Sequence, residues 1–272
     1  MINKDNKQYG VRWYLHLYKM ILLQDLKSKM SYRADFIISS IGMILTNLSG
    51  FVAFWIIFQN FSSINGWTFH EMLFMYGFSL LALTPVQCFF DNNWNLRQNV
   101  YSGDFIKYCF RPINIFFYYI SEVFDIKGLG QFAFGFATIG YAWYQLQIPI
   151  SLGIILLLIV ELIFASLFMI AIMNLAAATN FWLMGSTFIM IFTFNFKDYA
   201  RYPITIFGPV FRFVFTFFIP IAFLAYYPCI PFLRAEEIPA LTYCLPVFGV
   251  LFFYLSYKVW MKGAAGYSGT GS

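Results

Sequence analysis

Six stretches of this sequence are long and almost free of charge, and that feature limits the folds open to it more than any other. They lie near Ala34–Phe58, Phe69–Phe90, Gly128–Leu146, Ile150–Asn174, Thr179–Phe196 and Ala240–Trp260. A helix needs roughly 20 apolar residues to cross the hydrocarbon of a bilayer. A soluble fold has too little surface charge to accommodate them: 61% of the residues are hydrophobic and 11% charged, with a mean hydropathy of +0.70. Soluble domains carry about 25% charge. Lipid must solvate this chain, so the sequence specifies an all-α integral membrane protein.

Lysine and arginine orient the spans, because cytoplasmic connections collect them. Lys4, Lys7, Arg12, Lys19, Lys27, Lys29 and Arg33 precede the first span. The connection 61–68 has none, and Arg97, Lys107, Arg111 and Lys127 fall between the second and third spans. The N-terminus and the 91–127 loop are therefore expected in the cytoplasm. A further apolar stretch, Ile204–Tyr227, is interrupted by Pro209, Arg212 and Pro220. If it spans, there are seven helices; if it dips in and returns, there are six, and both termini are inside. Two prolines and an arginine favour broken helices, which are tolerated where protein or a cavity covers them. The six-span reading leaves Lys197, Arg201 and Arg234 outside, against the charge rule. Trp55, Trp67 and Trp143 fall at expected outer ends and Trp94, Trp182 and Trp260 at inner ends, as an interfacial aromatic belt requires.

Residues 10–30 have helical periodicity. Arg12, His16, Lys19 and Lys27 share one face, while Trp13, Tyr14, Leu17, Tyr18, Ile21 and Leu22 occupy the other. Such a helix lies in the headgroup plane. It anchors the topology, and a sharper reading makes it a lever between a cytoplasmic partner and the first span. Residues 1–33 thus form a cytoplasmic N-terminus with an interfacial helix, and 34–272 a single transmembrane domain. The Lys and Arg residues along 1–33 argue against a cleavable signal peptide. In the loop Asp91–Lys127, Asp91–Tyr101 can form a short helix with Leu96 and Val100 on one side and Trp94 as an anchor. Ser102–Gly103–Asp104 breaks it, and Arg111–Pro112 ends the next short element. The loop is either a docking surface for a soluble partner or a solvated connector.

Recognisable catalytic motifs are missing. The sequence has no GxxxxGK[ST] phosphate-binding loop, no HExxH and no GxSxG. Cys88, Cys109, Cys229 and Cys244 form no CxxC and read as apolar filler, so no metal is expected. His16 and His70 lie on opposite membrane sides in this topology. Glu161 is the exception to the apolar pattern, near the middle of LLLIVELIFAS, where an ionised carboxylate costs at least about 2.5–3.5 kcal/mol. It is either a neutral carboxyl bonded to a neighbouring helix, or a group on a transport pathway or subunit contact.

Several short motifs, in their order and spacing, make the chain resemble the ABC-2-type exporter permeases, the small transmembrane subunits of bacterial ATP-binding cassette transporters. They are Tyr32-Arg33-Ala34-Asp35-Phe36, Gly66-Trp67, Gly103-Asp104 followed by Arg111-Pro112-Ile113-Asn114, and Phe181-Trp182. Arg201-Tyr202-Pro203, Pro220 with Phe223, Tyr227-Pro228 and Gly266-Tyr267-Ser268 complete the set. The resemblance implies six spans with both termini inside, an interfacial helix before the first, and re-entrant helices between the fifth and sixth, with Arg201, Pro203, Pro220 and Pro228 in that segment. It implies that Asn93, Trp94, Leu96, Arg97 and Val100 meet an ATPase, with Arg111 and Pro112 shaping the loop behind them. Partners would be two ATPase subunits, a second permease of the same or different sequence, and membrane lipids, but no nucleic acid. ATP and magnesium would sit in the ATPase, leaving this chain without cofactors, and the setting would be a bacterial plasma membrane. Glu161 matches no motif of that family. Two other readings stand beside it: a passive channel or membrane anchor, and a membrane enzyme using Asp198, Glu236 and Glu237 on lipid-linked substrates.

Overall fold

A computed structural model describes residues 10–31, 33–183, 186–236 and 238–269. Lys4, Lys7, Tyr32 and Glu237 lie outside the described residues, as do the side chains of Arg33, Asp35 and Phe36. The helices are α1 (Val11–Met30), α2 (Arg33–Asn60), α3 (Phe69–Phe89), α4 (Leu96–Ser102), α5 (Ile106–Cys109) and α6 (Ile115–Ser121). They continue with α7 (Lys127–Gln145), α8 (Leu152–Ala178), α9 (Thr187–Phe196), α10 (Pro209–Phe213), α11 (Tyr226–Leu233) and α12 (Ala240–Ala265). Among the described residues, strand-like pairing is confined to an antiparallel bridge, Ile64–Trp67. Among the described residues, four helices are long and apolar enough to cross a membrane: α2 from Ile37, α3, α8 extended to Phe181, and α12. This is a multi-pass architecture.

The centre is α3, whose residues are apolar in every direction. Met72, Leu73, Phe74 and Met75, successive residues that project in four directions around the helix, are all fully buried, as expected of a helix enclosed by others. It lies between α7 and α8, and α12 packs on the far side of α8. Glycines set these distances, because small residues let helix backbones approach where no water drives association. A Cβ on Gly77 of α3 would stand 2.7 Å from the Ile139 nitrogen of α7, and one on Gly135 of α7 would stand 3.0 Å from Leu80 Cβ. Gly249 brings α12 equally close to α8, where a Cβ would meet the Phe164 carbonyl oxygen at 2.9 Å.

Local sequence fixes the helix starts. Thr68 and Glu71 form a reciprocal capping box on α3: Glu71 Oε2 accepts from the Thr68 N–H at 2.8 Å, and Thr68 Oγ1 accepts from the Glu71 N–H. This satisfies two otherwise orphaned donors. Ser151 caps α8 through the Ile154 N–H at 3.3 Å. The turn joining α2 to α3 reverses through Asn65 and Gly66, with φ of 49° and 79°, a left-handed pair suited to these residues. Two distant segments grip that turn. Asn65 Nδ2 and Trp67 Nε1 donate to the Thr205 carbonyl and hydroxyl oxygens at 2.7 and 2.8 Å. Arg234 donates to the Gly66 carbonyl at 2.7 Å, stacks 3.7 Å from the Trp67 ring and pairs with Glu71 at 3.5 Å.

Two expectations change. The fifth stretch, expected as one span over 179–196, contains a single 3₁₀ turn at Thr179–Phe181 and then the ten-residue α9. Helix α8 runs past its expected end at Asn174, through Leu175 and its alanines to Ala178. The tryptophan belt is also only partial. Trp55 and Trp182 are exposed, but Trp67 and Trp260 are buried as packing centres. The stretch 204–227 is broken as its prolines imply: α10 leads into a π turn at 214–218, Ile219–Pro220 interrupts it, and α11 follows.

Overpacking costs about 1–3 kcal/mol, so Gly77→Leu should remove most of the monodisperse protein in detergent size-exclusion chromatography. Gly42→Leu and Gly140→Leu, where a Cβ meets nothing within 4 Å, should leave the peak unchanged.

Candidate functional site

The loop after α3 is folded rather than solvated. Phe89 ends α3, a 3₁₀ turn spans Asp91–Asn95, and α4, α5 and α6 follow before α7. Phe105 is its anchor. Its buried ring lies 5.1 Å from Phe181 beyond α8, 5.9 Å from Trp260 of α12, 5.8 Å from Tyr119 of α6 and 5.2 Å from Tyr267. Gly103, at φ 86°, supplies the left-handed residue that ends α4 and turns the chain toward Phe105. Asn92 and Tyr119 exchange bonds, Asn92 Nδ2 donating to the Tyr119 carbonyl at 2.6 Å and Tyr119 Oη donating to the Asn92 carbonyl at 2.7 Å. Asn114 caps α6 and donates to Tyr257 Oη at 2.8 Å. The loop is thereby fixed to the ends of α8 and α12.

The residues named for a partner contact divide into two groups. Asn93 and Leu96 are buried; Asn93 Nδ2 donates to Asn174 Oδ1 of α8 at 2.6 Å. Trp94 is half-buried, its ring 5.4 Å from Phe194 of α9, and Val100 is half-buried with its carbonyl accepting from Tyr267. Arg97 and Arg111 are exposed, the latter over the Tyr118 ring at 5.2 Å. The accessible rim also holds Gln98, Tyr101 and Phe110, the last two 73% and 81% exposed. Periodicity identifies the helix but not which side faces inward, because its buried side rests on an amide and aromatic surface. Phe110 carried no sequence signal beyond being an aromatic residue beside a charged one.

The first helix lies against this loop. Tyr14, Leu17, Tyr18, Ile21 and Leu22 form its half-buried stripe, and Arg12, His16, Lys19 and Lys27 are exposed. Tyr14 meets Phe117 of α6 at 4.8 Å, and Tyr18 meets Phe89 at 6.5 Å. Asp25 accepts from the Phe124 N–H at 3.1 Å, while Lys29 pairs with Asp25 at 2.7 Å and donates to the Phe124 carbonyl at 2.5 Å. Nearby, burial pushes the Asp91 carboxyl up to about 6, with Asp125 adding to the rise and Lys29 and Lys127 opposing it.

Glu161 is buried in α8, and its Oε2 has no hydrogen-bond partner among the described residues; the bond to a neighbouring helix is not made there. Arg201 and Lys197 lie in the turns that follow α9; their side chains are 20% and 19% exposed and share Asp198, at 2.8 and 3.1 Å. Pro203 is buried and starts the turn at Ile204–Ile206, Pro220 follows the π turn, and Pro228 is buried in the first turn of α11. The carboxylates of the enzyme reading are not assembled, since Asp198 is committed to two cations and Glu236 is exposed. Among the described residues no cluster of His, Cys, Asp and Glu could hold a metal ion.

An all-helical fold with several helices fit to span, and a helical loop fastened to two of them, defines a multi-pass membrane protein. The model of the ABC-2 family transporter proteins matches residues 43–271, and the chain belongs to that family, a membrane component of transporters that is not itself catalytic. No curated protein and no solved structure matches the chain.

Leu96→Asp places a charge in a fully buried position and should destabilise the protein by ~3 kcal/mol or more. Arg97→Asp, on the exposed side, should leave the melting temperature within about 1 °C of the unsubstituted protein. For Asp91, folding holds a proton that the unfolded chain releases above its ordinary pKa near 4. Stability therefore falls as pH rises from about 4 to about 6. Asp91→Asn should raise the melting temperature at pH 7.5 and change it little at pH 4.

Proposed function

We propose that this chain is the membrane subunit of an ATP-driven exporter, forming half of a translocation pathway and coupling to separate ATPase subunits through residues 91–127. The observation that carries the reading is the family match together with an exposed rim mounted on a rigid loop. Arg97, Gln98, Tyr101, Phe110 and Arg111 form the ATPase contact. The buried Asn93 and Leu96 and the half-buried Trp94 and Val100 act behind it, passing motion to α8, α9 and α12. Arg and aromatic residues on a rim suit docking to another protein. Helix α1 is held to the same loop through Asp25 and Lys29, so displacement of the loop reaches the start of α2.

The chain crosses the membrane six times, with both termini in the cytoplasm of a bacterial plasma membrane. Support for this parity comes from contacts at the ends of the helices. Phe181 packs beside Phe105 of the loop, whereas Thr205 grips the opposite turn at 65–67. The segment between them traverses the layer, with α9 as its helical part. Arg234 returns to that same turn, so 205–234 enters and leaves on one side as a re-entrant hairpin. Two permeases, identical or different, face one another, and ATP-driven closure of the two ATPases alternates access to the path between them.

Affinity purification of the full-length chain from its native membrane in mild detergent tests the reading. An ATPase carrying GxxxxGK[ST] should co-purify, and Arg97→Asp combined with Phe110→Asp should cut its recovery about tenfold, equivalent to ~1.4 kcal/mol. Repeated recovery of the intact chain without an ATPase would leave the passive-channel reading. For topology, a cysteine at position 262 should react with an impermeant maleimide only from the cytoplasmic side; labelling from outside would establish an odd number of crossings.

A further inference from the structure

A cavity of about 280 Å³ opens between α2, α3, α7 and the end of α9. Apolar walls alternate with polar groups: Met43, Leu83 and Phe194 line it, together with Asn47, Lys197 and Arg201. Its position is inside the span layer. Arg201 stacks on the Tyr76 ring at 5.5 Å, and Tyr76 lies seven residues into α3, about 10 Å from its end at a rise of 1.5 Å per residue. A Cβ on Gly50 of α2 would stand 2.9 Å from Arg201 Nη1, so the absence of a side chain at that position admits the guanidinium. Ionisable side chains at such depth are expensive and belong to function rather than to packing.

Charge and hydrogen bonding inside the cavity point the same way. Lys197 and Arg201 carry two positive charges, each side chain about four-fifths buried, against the single carboxylate of Asp198. Asp198 is itself half-exposed, leaving one positive charge uncompensated between helices. Asn47 is 6% exposed. Its carbonyl oxygen accepts from Tyr76 Oη at 2.7 Å, but its side-chain Nδ2 donor has no partner among the described residues. A buried donor without an acceptor is costly. A cavity holding excess positive charge, an unpartnered buried amide on one lining residue and apolar walls is complementary to one negatively charged head group attached to an apolar tail.

We propose that this cavity binds the anionic head of an amphiphile, a phosphate, sulfate or carboxylate held by Arg201, Lys197 and Asn47, with the tail along Met43, Leu83 and Phe194. Its role in transport rests on the permease reading, whereas binding does not. Phe194 also meets Trp94 of the loop, so the wall of the cavity touches the segment that an ATPase would move.

The test uses the full-length chain, purified with whatever partners accompany it, in phosphatidylcholine nanodiscs with radiolabelled dodecyl phosphate as the probe. Binding should saturate and be displaced by unlabelled dodecyl phosphate but not by dodecyltrimethylammonium. Arg201→Gln should weaken it at least about tenfold, the scale of one charge-assisted hydrogen bond. Asp198→Asn removes the competing carboxylate and should tighten binding several-fold, a gain that misfolding cannot mimic. Equal displacement by the cationic amphiphile, or unchanged affinity in the Asp198→Asn protein, would overturn the proposal. Nanodiscs containing phosphatidylglycerol separate two sources of the same chemistry: displacement of the probe assigns the cavity to a membrane lipid head group. Retention of the probe, with faster ATP hydrolysis on its addition, assigns it to cargo. Because the isotherm is read whether or not an ATPase is recovered, loss of the permease reading and loss of the anion site are separate results.

Discussion

The close approach of α3 and α7 at Gly77 and Gly135 is the constraint on which the rest of the molecule depends. In hydrocarbon, helices gain nothing by hiding apolar surface from one another, so contact must come from backbones brought near enough for dense packing. Once α7 lies against one side of α3 and α8 against the other, α3 is enclosed, and what leaves its two ends is fixed in place. At one end the capped turn 65–68 offers the carbonyl, ring and carboxylate that Arg234 uses. At the other, the chain enters the Asp91–Asn95 turn and the helical loop without slack. The clamped turn and the helical loop are thus opposite ends of one buried helix.

Much of this arrangement was legible in the residues. Charge scarcity gave the fold class, and α2, α3, α7 and α12 begin and end close to where hydropathy and capping residues place them. What failed to show had physical causes. The length of α8 depends on continuing through Ala176–Ala178, residues as compatible with an ending as with another turn, and α9 is shorter than expected because Thr179–Phe181 forms a 3₁₀ turn and the helix begins only at Thr187. Trp67 and Trp260 satisfy an interfacial pattern by position but are enclosed by partners far along the chain. Lys197, Arg201 and Arg234 break the charge rule when read singly. Asp198 stands beside the first two in the chain itself, but Glu71 opposite the third becomes visible only in three dimensions. The exposed and buried sides of α4 could not be told apart, since Asn93 and Leu96 face a surface built from Asn174 and aromatic rings rather than an aliphatic core.

Polar groups inside the span layer mark where apolar packing was given up. Asn93 to Asn174 joins the loop to α8, a bond that is strong because no water competes for it. Glu161, further along the same helix, ends without a partner for one oxygen. Helix α8 therefore carries one inter-segment hydrogen bond near the loop, which leaves Asn174 Nδ2 and Asn93 Oδ1 without partners among the described residues, and one unpaired carboxyl oxygen nearer its middle; it is the helix against which both α3 and α12 rest.

The depth of Lys197, Asp198 and Arg201 has an electrical consequence. Charges between spanning helices lie within the transmembrane field, where a unit charge crossing the whole layer changes energy by ~2.3 kcal/mol per 100 mV. Moving the triad by one helical turn, ~5.4 Å in a layer of ~30 Å, would involve about a fifth of that. The empty cavity carries a net charge of +1, and with a monovalent anion bound it carries none. Were the proposed site to carry its anion across the layer, membrane potential would act on the return of the unloaded cavity and not on the loaded step, so voltage would set how fast the protein resets rather than how fast it carries.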